Sequence, residues 1–367
     1  MLEEDLLYVL ALQRAKGIGD INAKKLIAHF GNAKSVLKEK RQTLEKINGI
    51  GAFTIRHLHD ADNLRDAEKE LRYIEENKVE TQYFLDTSYP EKLKHCIDAP
   101  ILLFKKGNIN LENHPIISVV GTRNMTSYGR SFCEKFIRDL KAYNPLIVSG
   151  FAYGIDICAH KSALKNSLQT IGVLAHGFEK MYPKSHQKYV NEITQNGGFI
   201  TDFWHNDELQ RENFLKRNRI VAGISEATII IESAEKGGSL VTADIANSYS
   251  RDVFAVPGRT TDIYSKGCNN LIKRNNAAIL TSAHDLIEML SWQLEHKKTA
   301  VVQKQLFVEL NENEQAVYDF LLVNGKEMLD LISVNCKFPI HQTTTILFNL
   351  EMKGLVKPLP GKLFEAV

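Results

Sequence analysis

The chain has 367 residues, 44% of them hydrophobic and 25% charged, with a formal net charge of +2. That length predicts two or three domains, and the composition excludes a disordered or low-complexity chain. The near balance of charge excludes a globally basic nucleic-acid binder, so any anion-binding surface has to be local.

The N-terminus, MLEEDLLYVLALQRAKGIG, carries acidic residues where a signal peptide needs basic ones. No run of about 18 apolar residues offers a membrane span. The five cysteines Cys96, Cys133, Cys158, Cys268 and Cys336 are odd in number and lack CxxC spacing. They predict neither a disulfide framework nor a zinc knuckle, and point to a reducing, cytoplasmic compartment.

Residues 1–65 read as short helices punctuated by Gly-Ile-Gly turns at 17–19 and 49–51, a helical helix-hairpin-helix-like domain. Residues 66–113 form a bridging segment, with a helix near 66–77 and a strand at ILLFKKG (101–107), that packs on the next region. From 114 to 290 the pattern turns into repeated βα units. Apolar runs rich in Val and Ile lie at 116–121, 146–150, 170–177, 198–203, 227–233 and 252–258. Nearly continuous rather than alternating runs predict strands buried on both faces. Alternation with helices predicts right-handed crossovers and a doubly wound parallel sheet, an extended Rossmann-like α/β fold. Residues 291–306 are expected to be a polar linker. Residues 307–367, with helices at 312–323, 327–335 and 340–353 followed by a two-stranded wing, follow the order of a winged helix.

In such a sheet the binding crevice lies beyond the carboxyl ends of the strands. The strands exit into Gly121-Thr122-Arg123, Ser149-Gly150, Ala175-His176-Gly177 and a loop ending in Gly237-Gly238-Ser239. Glycines there allow close backbone approach. Ser127 and Ser239 are placed to cap the helices that follow, whose N-termini favour anions. The segment FLKRNRIVAGIS (214–225) adds Lys216, Arg217 and Arg219, and Arg217 falls on the apolar stripe of Phe214, Val221 and Ile224. A guanidinium on a buried stripe requires an anion nearby. Phosphate suits these features. Neither GxGxxG nor GxxxxGK[ST] occurs, which disfavours a dinucleotide cofactor or a P-loop nucleotide. Cations spread over several loops fit a chain of phosphates better.

The stretches VVGTRNMTSYG (119–129), VSGFAYGIDICAHKSAL (148–164), FLKRNRIVAGIS, GGSLVTADIA (237–246) and VFAVPG (253–258) together resemble the bacterial DNA-processing family DprA, also called Smf. The resemblance spans roughly residues 80–290 and includes YPEKL at 89–93. It implies a cofactor-free, non-catalytic protein that binds single-stranded DNA and dimerises through the Rossmann-like domain. It also implies protection of incoming strands in natural transformation and help in loading the RecA recombinase. Carried over by position, the family's DNA pocket corresponds to Gly121, Thr122, Arg123, Ser127, Ser149, Gly150, Phe214, Lys216, Arg217 and Arg219, with Gly238 and Ser239 beside it. Phe214 would be the platform for a base. The sequence departs from the family pattern at Ala175, Glu179, His186, Leu215, Cys268 and Asn275-Asn276.

Plainer readings exist for each feature: tight βα turns for the glycines, ion pairs of Lys216, Arg217 and Arg219 with Asp207, Glu208 and Glu212, and a core position for Phe214. Asp156, Asp202, Glu232 and Asp244 read as helix caps or as partners orienting the arginines rather than as acid–base catalysts. His57 and His59 lack a third metal ligand. The N-terminal hairpins either contact DNA through Lys24, Lys25, Lys46 and Arg56 or simply stabilise the chain. The winged helix carries only Lys353 at the end of its recognition helix, which favours protein contact over reading of DNA sequence. The competing functional class is a nucleotide phosphoribohydrolase-like enzyme on a related sheet; its PGGxGTxxE pattern is only partly matched by KGGSLVTAD (236–244). A third class is an interaction scaffold built around the two end domains.

Overall fold

The computed structural model describes residues 3–112, 114–293, 310–359 and 361–366. The chain falls into two compact units, Met1–Leu294 and Glu295–Val367. From residue 294 onward, the linker expected at 291–306 lies outside the described residues.

The first unit opens with helices α1 (Glu3–Arg14), α2 (Asp20–Phe30), α3 (Ala33–Lys38), α4 (Arg41–Leu44) and α5 (Ala61–Glu76). Gly17 and Gly49 take the positive φ that these corners need, +88° and +81°. After the second Gly-Ile-Gly corner the chain makes consecutive tight turns at 52–59 instead of a regular helix. Leu10, Leu26, Val36 and Leu44 form a core that runs on into Tyr83, Ile101, Phe104 and Trp204. Packing therefore crosses residue 65 without a break.

Strand β1 (Glu80–Tyr83), helix α6 (Glu91–Lys94) and strand β2 (Leu102–Gly107) follow. The repeating region then supplies β3 (Ile116–Val120), α7 (Ser127–Asp139), β4 (Leu146–Ser149), α8 (Ile155–Lys165), β5 (Thr170–Val173), α9 (Val190–Gln195), β6 (Gly197–Thr201), α10 (Arg211–Ile224), β7 (Ala227–Ile230), α11 (Gly238–Ser248), β8 (Asp252–Ala255), α12 (Lys266–Lys273), β9 (Ala278–Ile279) and α13 (Ala283–Met289). One nine-stranded sheet results, in the order β1-β2-β6-β5-β4-β3-β7-β8-β9. From β6 to β9 every pairing is parallel. The doubly wound parallel sheet expected from the sequence is present, with an addition: β1 and β2 extend one edge in antiparallel sense.

Successive residues of β3 feed opposite layers, which is why the strand reads as an unbroken apolar run. Ile116 and Val120 join the layer containing Ile220, Val221 and Ala243 of α10 and α11. Ile117 and Val119 join the layer containing Phe136, Ile137 and Ala159 of α7 and α8. The chain winds from β3 outward to β6, then returns through α10 to place β7 on the other side of β3. That reversal is the topological switch point where an α/β sheet opens a ligand crevice.

The second unit contains α14 (Glu312–Asn324), β10 (Glu327–Met328), α15 (Leu329–Cys336), α16 (Ile340–Met352), β11 (Val356–Leu359) and β12 (Leu363–Ala366). The wing is a three-stranded sheet, β10-β12-β11, one strand more than expected. Val317, Leu321, Ile332 and Leu347 close its own small core.

Candidate nucleic-acid interface

A groove of about 700 Å³ opens at the switch point. Its lining comes from four strand exits or helix starts and from one long helix face. The exits after β3, β4 and β7 supply Gly121-Thr122-Arg123, Gly150 and Ser233-Ala234. The start of α11 supplies Gly237, Gly238, Ser239 and Thr242, and α10 presents Arg211, Phe214, Leu215, Arg217, Asn218 and Val221.

Arg217 lies at the base of this groove and is 4% exposed. Its Nη1 donates to the carbonyls of Gly150 and Val173, tying α10 to the ends of β4 and β5. Burial draws the guanidinium down to about 10, opposed by the nearby Asp156 carboxylate. At neutral pH it is still a cation. Asp156 is itself buried and held above the ordinary carboxylate range by desolvation, with Arg217 acting against that shift. Its Oδ2 accepts from the Ala152 amide at 3.3 Å.

Gly150 is the residue that makes this arrangement possible. A Cβ built there would lie 2.6 Å from Asp156 Oδ2 and would collide with the Arg217 guanidinium. Gly121 and Gly154 have the same character: a Cβ on Gly121 would strike the Ile155 side chain, and one on Gly154 the backbone of Thr122 and Arg123.

The rim of the groove is set by Arg123, exposed on the loop after β3. Its guanidinium stands over the Phe214 ring, 5.0 Å from the centroid, and Arg217 approaches the same ring at 6.0 Å. Tyr182 meets Phe214 edge-on, with centroids 6.2 Å apart. Among the described residues neither Arg123 nor Arg217 forms a salt bridge with a carboxylate. Arg123, Arg211 and Arg217 face Asp156 alone within the groove lining, which leaves the site net positive. The loop bearing Arg123 is fixed from behind by Glu232, 3% exposed, whose carboxylate accepts from the Thr126 amide at 2.9 Å and from the Thr126 hydroxyl.

Eight of the twelve site residues expected from sequence thus share one groove: Gly121, Thr122, Arg123, Gly150, Phe214, Arg217, Gly238 and Ser239. The other four lie elsewhere. Arg219 points to the opposite side of α10, where it donates to Asp20 at 3.0 Å, to Asp202 at 2.5 Å and to the Asp98 carbonyl. Burial alone would lower its pKa, but Asp202 and Asp20 outweigh burial and hold it above its ordinary value. Arg219 is a clamp between the N-terminal helices and the sheet. Ser149 is fully buried and donates to the Val119 carbonyl at 2.6 Å. Ser127 is exposed at the first residue of α7, and the capping side chain is Thr126, which accepts from Gly129 N at 3.2 Å. Lys216 is exposed, outside the groove lining.

Further corrections concern neighbours. Ser239 does not cap α11; Gly237 occupies that position, and the Ser239 hydroxyl donates to Ser233 Oγ at 2.9 Å. The exit at Ala175-His176-Gly177 is closed, since Gly177 packs against the backbone of Trp204 and His205. Lys24 donates to the carbonyls of Cys96 and Ile97, at 3.4 Å each, and so is engaged within the first unit. Arg211 and Asn218 escaped the sequence reading, although they sit at i−3 and i+4 from Phe214, the spacing of one helix face.

Comparison with known proteins gives a consistent result. The profile of the family described as DNA recombination-mediator protein A matches residues 80–291. Protein Smf of Synechocystis sp. is 31% identical over 400 residues, covering 100% of both chains. The DNA processing protein DprA of Streptococcus pneumoniae is 39% identical over 204 residues, 55% of this chain and 71% of its own. The X-ray structure of that pneumococcal protein superimposes with a TM-score of 0.67 at 30% identity, covering 78% of this chain and 98% of the other. A structure of DNA processing protein A from Helicobacter pylori, described as showing a single-stranded DNA binding mode, superimposes with a TM-score of 0.53 at 28% identity. It covers 58% of this chain and 96% of its own.

Proposed function

The chain belongs to the DNA recombination-mediator protein A family, and on that premise we propose that its groove holds single-stranded DNA, with no catalytic step. The observation that carries this reading is that two guanidiniums, Arg123 and Arg217, lie 5.0 and 6.0 Å from the centroid of one aromatic ring, with Asp156 the one carboxylate in the groove lining. Three arginines against one carboxylate, beside a π-face, suit phosphates next to a stacked base. Backbone corners without side chains, at Gly121, Gly150 and Gly238, let the strand come close. None of this reads base identity, so binding is sequence-tolerant.

The wider role follows the family resemblance: shielding of incoming single strands during recombination, assistance in loading the RecA recombinase, homodimerisation through the Rossmann-like domain, and a cytoplasmic setting. No helix among the described residues is long and apolar enough to cross a membrane. Fluorescence anisotropy with oligothymidine and with a matched duplex tests the central reading: single strands bind, duplex binds weakly, and affinity falls with salt. Release of free base from a nucleoside monophosphate would instead favour the phosphoribohydrolase class. A monomer by light scattering at micromolar concentration would count against the dimer.

A further inference from the structure

A second cation-rich feature leads away from the groove. Residues 178–189 join β5 to α9 and carry exposed Lys180, Lys184 and Lys188 at a spacing of four, with Tyr182 and Tyr189 between and beside them. Side chains trace this segment from the groove to a second cavity. Tyr182 touches Phe214 at the groove rim. The Ser185 hydroxyl donates to the Tyr153 hydroxyl at 3.3 Å, and the Tyr153 ring lies 4.9 Å from His186. The His186 ring is 6.3 Å from Tyr189. Over Tyr189 stand Lys188 at 5.2 Å and Lys161 at 5.7 Å from the ring centroid. Tyr189 and Lys161 line a cavity of about 540 Å³ together with Arg138, Lys165, Glu134 and Glu192.

The lining sets Arg138, Lys161 and Lys165 against Glu134 and Glu192; Lys188 stands over the same tyrosine, and Arg138 also lies 3.6 Å from Asp139. The carboxylates oppose a tightly caged small anion. A ring carrying two ammonium groups, beside a modest positive excess, suits a flexible polyanion with planar groups that stack. Tyr182 and Tyr153 are exposed and Tyr189 partly so, with the buried His186 ring packed between Tyr153 and Tyr189, so exposed rings recur between Phe214 and the cavity. We propose that the 178–189 segment is a continuation track: a strand leaving the groove past Tyr182 and Tyr153 stacks on Tyr189, with phosphates at Lys161 and Lys188. This rests on the reading of the groove as the single-strand site.

The test measures anisotropy of the full chain with oligothymidines of about 5 and about 30 nucleotides, one near the lower end of a typical single-site footprint and one well beyond it. The double variant Lys161→Gln with Lys188→Gln changes only exposed side chains. It is expected to bind the long oligonucleotide about five- to tenfold more weakly, with a salt slope smaller by about 1.4, and the short one unchanged. Tyr189→Ala is expected to show the same length-selective loss; should it misfold, the lysine variant decides. Equal losses on both lengths, or an unchanged long-oligonucleotide affinity, overturn the track, the latter leaving the cavity to an acidic protein segment. Arg123→Ala weakens both lengths. If the unmodified protein bound neither, the groove reading itself would fall.

Discussion

Arg217 and Arg219 stand two residues apart on one helix and do opposite work. Two helical steps rotate a side chain by about 200°, so the pair necessarily faces different surroundings. Arg219 meets Asp20, Asp202 and the Asp98 carbonyl, and its charge is used in joining the N-terminal helices to the sheet. Arg217 meets only carbonyls and a desolvated carboxylate, and shares an aromatic ring with a second guanidinium. Arg219 is fully engaged by two carboxylates, whereas Arg217 has Asp156 beside it and no salt bridge among the described residues. The flanking acids follow the same division: Glu232 positions the Arg123 loop, Asp202 neutralises Arg219, and Asp244 is exposed on α11.

The largest effect is expected on the clamped side. Arg219→Ala leaves Asp20 and Asp202 without their partner in a largely buried setting and should cost about 3–5 kcal/mol of stability by chemical denaturation. Oligothymidine affinity of the remaining folded protein should stay unchanged; a parallel loss of affinity would mean that the two sides are not separate. Gly150→Ala comes next. The added methyl has to displace the Arg217 guanidinium or Asp156, for about 1–3 kcal/mol of overpacking, and single-strand binding should fall with it. Full retention of affinity would show that Arg217 does not need its present position.

Phe214→Ala should weaken oligothymidine binding by about 1–3 kcal/mol whatever the base sequence, with stability shifted by under about 1 kcal/mol. A drop confined to one base type would argue for sequence reading in the groove. A pH-dependent effect concerns a histidine buried outside the groove lining. His160 is fully buried, its Nδ1 paired with the Thr170 hydroxyl at 2.7 Å, and burial lowers it from 6.5 to about 3. The folded state therefore refuses a proton that the unfolded state accepts below about 6.5. Stability tied to His160 is complete above that value and is lost as pH falls toward 3, at roughly 1.4 kcal/mol per pH unit. Denaturation midpoints of His160→Gln measured between about pH 6 and pH 4 should flatten accordingly.

The core strands were legible because Val and Ile runs such as IISVV have no other stable place than a sheet covered on both faces. Strand β1, Glu-Thr-Gln-Tyr, was not, since a polar edge strand carries no such signature, and the two residues of β9 are too few to show a period. Nor can a run of residues reveal its own direction, so the antiparallel edge at β2 had to come from the structure. Within the site, glycines and Arg217 stood out against their local pattern. Arg219 looked equally functional because its partner Asp20 is remote in sequence. Ser149 looked like a loop residue because a buried hydroxyl bonded to a neighbouring carbonyl reads the same as a free one. The groove wall at Arg211 and Asn218 was recoverable by following helical spacing outward from Phe214.

The sharpest check on the groove is the salt dependence of oligothymidine affinity, measured for Arg123→Ala beside the unmodified protein. Arg123 is exposed, so its removal spares the fold. Binding should weaken on every sequence, with a log–log salt slope smaller by about 0.7, the change expected when one phosphate fewer is neutralised. Superimposable salt curves for the two proteins would contradict a single-strand site at Arg123.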